Sequence, residues 1–197
     1  MSATKIIAGP ALVFLLSCGG SPGTRTSTPT QSAAPEPTAV TPKGSMELTS
    51  PAFAYGQPIP KQFTGDGENL SPQLDWTGVP DSTKGFALIC SDPDAPSGTF
   101  IHWVMFNIPG ISRGLAAGVP RASTGPDDAI QGRNSFGGFG YDGPKPPPGK
   151  PHRYFFKLYA LDATITPTYR TVTADLLEKD MAGHVLATAE LMGTYQR

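Results

Sequence analysis

Cysteine is nearly absent from this chain: two occur in 197 residues, Cys18 and Cys90. Cys18 sits at the end of an N-terminal apolar run, which leaves Cys90 without an intramolecular partner. No internal disulfide is expected, and Cys90 reads as a small buried apolar residue. Charge of one sign is also lacking. The formal net charge is −1, and without Lys5, Arg25, Lys43 and Glu36 the chain from residue 46 onward sits near −3. That balance excludes the basic footprint of a nucleic-acid partner. Several motifs of catalysis are missing too. No Gly-x-Ser-x-Gly elbow exists, since Gly132 to Phe136 has a serine but not its flanking glycines. The run Gly137-Gly138-Phe139-Gly140 lacks the Lys-Ser/Thr of a nucleotide loop. The histidines lack the tight i, i+2 or i, i+4 spacing that preorganises a metal site, so neither metal nor cofactor is expected.

Long hydrophobic runs are missing as well. Ile6 to Leu16 is apolar but spans only eleven residues, too short for a membrane helix and suited to a signal segment behind Lys5. Residues 1–17 read as an export signal. Leu15-Leu16-Ser17-Cys18-Gly19 resembles the bacterial lipobox, in which the cysteine is acylated and becomes the new N-terminus; Leu16 is larger than the usual residue there. Residues 18–45 are rich in Ser, Thr, Pro, Gly and Ala and cannot repay ordering entropy by burial, so they read as a tether behind the lipidated Cys18. Acyl chains gain about 0.8 kcal/mol per buried methylene, enough for firm anchoring by two or three chains. The expected location is therefore the extracytoplasmic face of the cell membrane, with 46–197 as the folded domain.

What the chain has in plenty is punctuation, 23 glycines and 22 prolines. From Met46 onward turn clusters alternate with short apolar runs: Gly85 to Ser91, His102 to Ile108 and Tyr154 to Leu161. Their length and their β-branched and aromatic content favour strands. A helix is expected late, capped by Thr173, with Asp175 in its first turn, Leu177, Met181 and Val185 at i+4 spacing, and Gly183 near its end. Ala187 to Tyr195 then alternates as a final strand. A domain of ~150 residues buries roughly 70% of its unfolded surface, so one core suffices.

Chemistry-bearing residues gather around the punctuation. Asp92-Pro93-Asp94-Ala95-Pro96 follows a strand and is stiffened at two φ angles. His102 opens the next strand, where a nearby carboxylate would fix its tautomer. Gly137-Gly138, Gly140 and Gly143-Pro144 allow backbone amides to approach an anion. His152 and Tyr154 flank Arg153 at a strand start and share one face. These residues would suit a phosphate, sulfate or carboxylate. His184, on the late helix, reads as packing or surface.

The combination of Asp92 to Pro96, His102-Trp103, Gly143-Pro144 through Gly149, His152 to Phe156, Gly183-His184 and Gly193-Thr194-Tyr195 closely resembles the phosphatidylethanolamine-binding protein family. The nearest branch is the bacterial Raf-kinase-inhibitor-like one. The resemblance implies a mainly β fold of two antiparallel sheets with few peripheral helices and a shallow anion pocket. Its pocket residues fall on Asp92, Asp94, His102, Gly143, His152 and Tyr154. Bacterial relatives often carry cysteine where this chain has Lys145, which removes a thiol and adds charge near the pocket mouth. The expected function is a non-enzymatic, lipid-anchored binding protein for a small anion or phosphate-bearing headgroup. The alternative is an inhibitor or modulator of a protease, kinase or other protein partner.

Overall fold

The structure, a computed structural model, describes residues 45–167 and 171–197. The signal segment, Cys18 and the tether lie outside the described residues. Eight strands and one α-helix are present among them: β1 (Glu47–Thr49), β2 (Leu74–Thr77), β3 (Gly85–Asp92), β4 (Phe100–Pro109), β5 (Gly114–Leu115), β6 (Ile130–Gln131), β7 (His152–Leu161), α1 (Ala174–Asp180) and β8 (Val185–Tyr195). They form two antiparallel sheets, one ordered β1-β2-β5 and the other β6-β4-β3-β7-β8.

Strand β3 explains why the larger sheet is central. Phe86, Leu88 and Cys90 point into a core shared with Leu48, Trp76 and Leu115 of the smaller sheet. The alternate residues Ala87 and Ile89 pack on the other face against Ala174, Leu177 and Met181 of the α1 region. Both faces are covered, so β3 reads as a continuous apolar run. Full burial of each large side chain here contributes roughly 1.5–3 kcal/mol. Cys90 is 1% exposed and unpaired, and burial pushes its thiol pKa up, which keeps it an unreactive apolar filler.

The expected helix begins where the capping residue places it but stops sooner. Thr173 is the N-cap residue by backbone position, yet its side chain makes no capping hydrogen bond. Met181 closes the helix, Gly183 takes a left-handed φ of 84°, and Val185 belongs to β8, where it is 41% exposed. The i+4 spacing of Val185 thus belongs to no helix face. Along β8, Ala189 and Leu191 are buried while Thr188 is exposed, the alternation expected of a strand.

Antiparallel pairing brings the C-terminal end of β3 beside the N-terminal ends of β4 and β7, with Asp92 opposite Phe100 and Ser91 opposite Phe155. Asp92, His102 and His152 therefore meet at one end of the sheet.

Candidate functional site

A cavity of about 260 Å³ opens at that end. Its polar lining is Asp92, Ser97, His102, Lys145, His152 and Tyr154. Phe100, Phe136, Pro96 and Pro146 supply apolar wall, and Lys145 stands at its edge.

His102 reaches the cavity through a bulge. Ile89 pairs with Val104 and Cys90 with Trp103, but Ser91 pairs with Ile101, so His102 has no residue opposite. Trp103 packs between the sheets, whereas Val104 and Ile101 pack on the helix side. Strict alternation from Trp103 would turn His102 toward the helix. The extra residue instead directs it to the side of Tyr154, the two rings meeting edge to face at 5.1 Å.

The two cavity histidines are held differently. His102 Nδ1 faces the backbone carbonyl of Asp142, an acceptor only, so this nitrogen carries the proton and Nε2 of the neutral ring keeps its lone pair. Burial lowers the His102 pKa below its ordinary 6.5, against an opposing effect of the Asp142 carbonyl and of Asp92. The carboxylate expected to orient His102 serves His152 instead, whose Nδ1 lies 2.7 Å from Asp92 Oδ2. Asp92 Oδ1 accepts the Asp94 backbone N–H at 2.8 Å, which fixes the turn after β3.

Tyr154 supplies the least satisfied group. The residue is 1% exposed, and its hydroxyl makes no well-aligned hydrogen bond among the described residues, although Asp92 acts on it as a neighbouring acceptor. Burial, and then the charge of Asp92, hold its pKa far above the ordinary phenol value, so it stays a neutral donor. A buried hydroxyl left alone costs about 1–3 kcal/mol.

The remaining expected residues stand apart from the cavity. Asp94 takes Arg153 bidentately, with Nε to Oδ2 at 2.9 Å and NH2 to Oδ1 at 2.7 Å. That guanidinium holds the Asp94 pKa at about 2. The pair ties the loop after β3 to the start of β7, facing outward as the alternation of Arg153 requires. The Gly143 amide, expected to meet an anion, donates to Asn69 Oδ1 at 2.7 Å, and the Gly138 amide donates to Asn134 Oδ1 at 3.1 Å. Glycine is needed at 143 for another reason. A Cβ there would sit on the Phe63 carbonyl oxygen and 2.8 Å from Thr64 Cα. His184 is exposed and pairs with Asp162 at 2.8 Å.

Asp142 is the residue that sequence reasoning missed. Its carboxylate accepts from Asn69 Nδ2 at 3.0 Å, from Asn134 Nδ2 at 3.0 Å and from Arg121. Its backbone both accepts from His102 and donates to the His102 carbonyl at 3.0 Å. Phe100 and Phe136 were missed too; they flank the His102 ring at 5.4 and 5.6 Å. A short polar run around a Gly-Pro was the only signal for Asp142.

Two antiparallel sheets with a small cavity of mixed polar and apolar lining at one sheet end are the architecture of the class to which the comparisons assign the chain. The profile described as phosphatidylethanolamine-binding protein matches residues 49–196, and the chain belongs to that family. It is 51% identical over 152 residues to a UPF0098 protein of Methanothermobacter thermautotrophicus, covering 77% of this chain and 99% of the relative. A UPF0098 protein of Chlamydia muridarum is 45% identical over 157 residues, with 77% and 99% covered. Among solved structures, a phosphatidylethanolamine-binding protein homologue from Chlamydia trachomatis superposes with a TM-score of 0.71 at 42% identity, covering 78% of this chain and 99% of that one. YbcL of E. coli, described as a member of the mammalian family, gives 0.72 at 36% identity with the same coverage.

Proposed function

We propose that this chain is a non-enzymatic binding protein that holds a small phosphate-bearing or similar anionic group in the cavity beside Asp92, and that an acylated Cys18 anchors it at the extracytoplasmic face of a membrane. The observation that carries the ligand reading is the buried Tyr154 hydroxyl, a donor with no well-aligned acceptor among the described residues. His152, hydrogen-bonded through Nδ1 to Asp92, would turn its Nε2 to the ligand. Neutral His102 would accept a proton-bearing oxygen of the same ligand through Nε2.

Titration of the full-length chain with inorganic phosphate, followed by NMR at the histidine rings, tests the ligand reading. Saturable shifts at His102 and His152 are expected. A hydrogen bond to a charged group is worth about 1.5–3 kcal/mol, so Tyr154→Phe is expected to weaken phosphate by roughly tenfold or more. Unchanged affinity in both Tyr154→Phe and His152→Ala would remove the pocket from the function and make the protein-partner alternative the next to test by affinity capture. Incorporation of labelled palmitate, abolished by Cys18→Ser, tests the anchor. Absence of label in the parent chain would refute it.

A further inference from the structure

The charge around the cavity is unevenly matched. Asp92 is held by His152, Asp94 by Arg153, Asp142 by Arg121, and Asp66 by Arg197 at 3.0 Å. Of these carboxylates Asp92 alone lines the cavity, and the other three are each paired with an arginine outside its lining. Lys145 lines the same cavity and, among the described residues, has no ion pair or hydrogen bond. Its stem is not free to swing anywhere. A Cβ built on Gly65 would lie 3.1 Å from Lys145 Cβ and 3.2 Å from Lys145 Cδ, so the aliphatic part runs along the backbone at residue 65. The flanking prolines Pro144 and Pro146 restrict the backbone on either side. The result is a lysine with a supported stem lining a cavity whose one lining carboxylate, Asp92, is hydrogen-bonded to His152.

We infer that Lys145 sets the charge preference of the site, selecting occupants that carry a second negative group beside the phosphate and disfavouring those that carry an amine. This rests on the phosphate reading of the cavity and adds the class of ligand. Size limits the class as well. A cavity of about 260 Å³ has room for a headgroup or small metabolite. The shared chemistry is an anionic phosphoester, whether free or the headgroup of a lipid.

Three phosphomonoesters of similar size separate the charge step cleanly. Phosphoglycolate adds a carboxylate, glycerol phosphate adds no charge, and phosphoethanolamine adds an ammonium. Calorimetry on the full-length chain, with inorganic phosphate as reference, is expected to give affinities falling in that order by about three- to tenfold per step, as for a charge several ångströms away in a partly wet site. Lys145→Met should compress the order toward one value, and Lys145→Arg should restore it. Both replacements are at an exposed position, so folding is not at stake.

Equal affinities in the parent chain, or phosphoethanolamine as the strongest, would overturn the inference while phosphate binding lost in Tyr154→Phe kept the site. If inorganic phosphate and all three esters fail to bind, the phosphate reading falls and this inference with it. Glycerophosphoserine and glycerophosphoethanolamine, deacylated headgroups, distinguish the source. A preference for the former over the latter marks an anionic lipid headgroup. Binding confined to the monoesters, in the expected order, marks a free metabolite and supports the same role for Lys145.

Discussion

Tyr141 and Tyr154 are equally buried, at 0% and 1% exposure, and stand on opposite sides of a functional divide. The Tyr141 hydroxyl donates to the Phe63 carbonyl at 2.8 Å, within a core where Trp103 Nε1 likewise donates to Gln131 Oε1 at 2.7 Å. The Tyr154 hydroxyl has no such partner. Packing at the two places is alike, since Tyr141 stacks on Phe156 at 6.2 Å and Tyr154 meets His102 at 5.1 Å. The difference lies in polar satisfaction alone. The Tyr141 and Trp103 donors are matched within the chain, whereas the sheet end keeps a donor in reserve at a cost of about 1–3 kcal/mol. A fold under selection for stability alone would lose that hydroxyl. Its presence beside two oriented histidines is what the proposed ligand would complete.

Substitutions can break that contrast in order of size. The largest effect is expected at Gly143, on the side that is structure. An added Cβ would press on the Phe63 carbonyl and lie 2.8 Å from Thr64 Cα, both backbone atoms that cannot swing aside. Gly143→Ala is therefore expected to cost at the upper end of the ~1–3 kcal/mol typical of overpacking, read from the urea midpoint. A midpoint within error of the parent would mean that the loop yields freely. The tyrosine pair comes next. Tyr141→Phe strands a buried carbonyl and should cost about 1–2 kcal/mol while leaving phosphate affinity in place. Tyr154→Phe removes a donor with no partner, so its stability should stay within ~0.5 kcal/mol of the parent or rise, while phosphate affinity falls. If Tyr154→Phe is the less stable of the two, the contrast is gone.

How far this was legible depends on what kind of contact each feature needs. The strands around β3, β4, β7 and β8 show in the sequence because alternation and turn residues are local. The short strands β1, β2 and β5 do not, since four or fewer residues of pattern carry no reliable period; the two-sheet fold was inferred from family resemblance. His152 and Tyr154 were placed on one face correctly from spacing of two. His102 reached the same cavity by a bulge that no periodicity announces. The glycine amides were misjudged because their partners, Asn69 and Asn134, are polar loop residues without a motif. Asn69 lies 74 positions from the amide that it holds. The Asp142 hub is invisible for the same reason. Its three side-chain donors come from separate loops and are joined only by the fold.

The smallest expected effect concerns pH and sharpens the contrast between the buried histidine and the exposed carboxylate pair. Burial lowers the His102 pKa below 6.5, so on acidification the unfolded chain binds a proton there before the folded chain does. Stability should therefore fall as pH drops from about 6.5 toward the lowered folded value, and level off below it as far as this residue is concerned. Asp94 acts in a separate window. Its pKa is lowered from 3.8 to about 2, so the stability that it contributes is present above 3.8 and lost as pH falls through about 2. Denaturation midpoints from pH 8 to pH 2, compared with those of His102→Gln and Asp94→Asn, resolve the two. His102→Gln should flatten only the upper window and Asp94→Asn only the lower. If His102→Gln leaves the upper slope unchanged, His102 is not held neutral by its burial. The cavity would then present a charged donor at that position, and a fully ionised phosphate would be its better match.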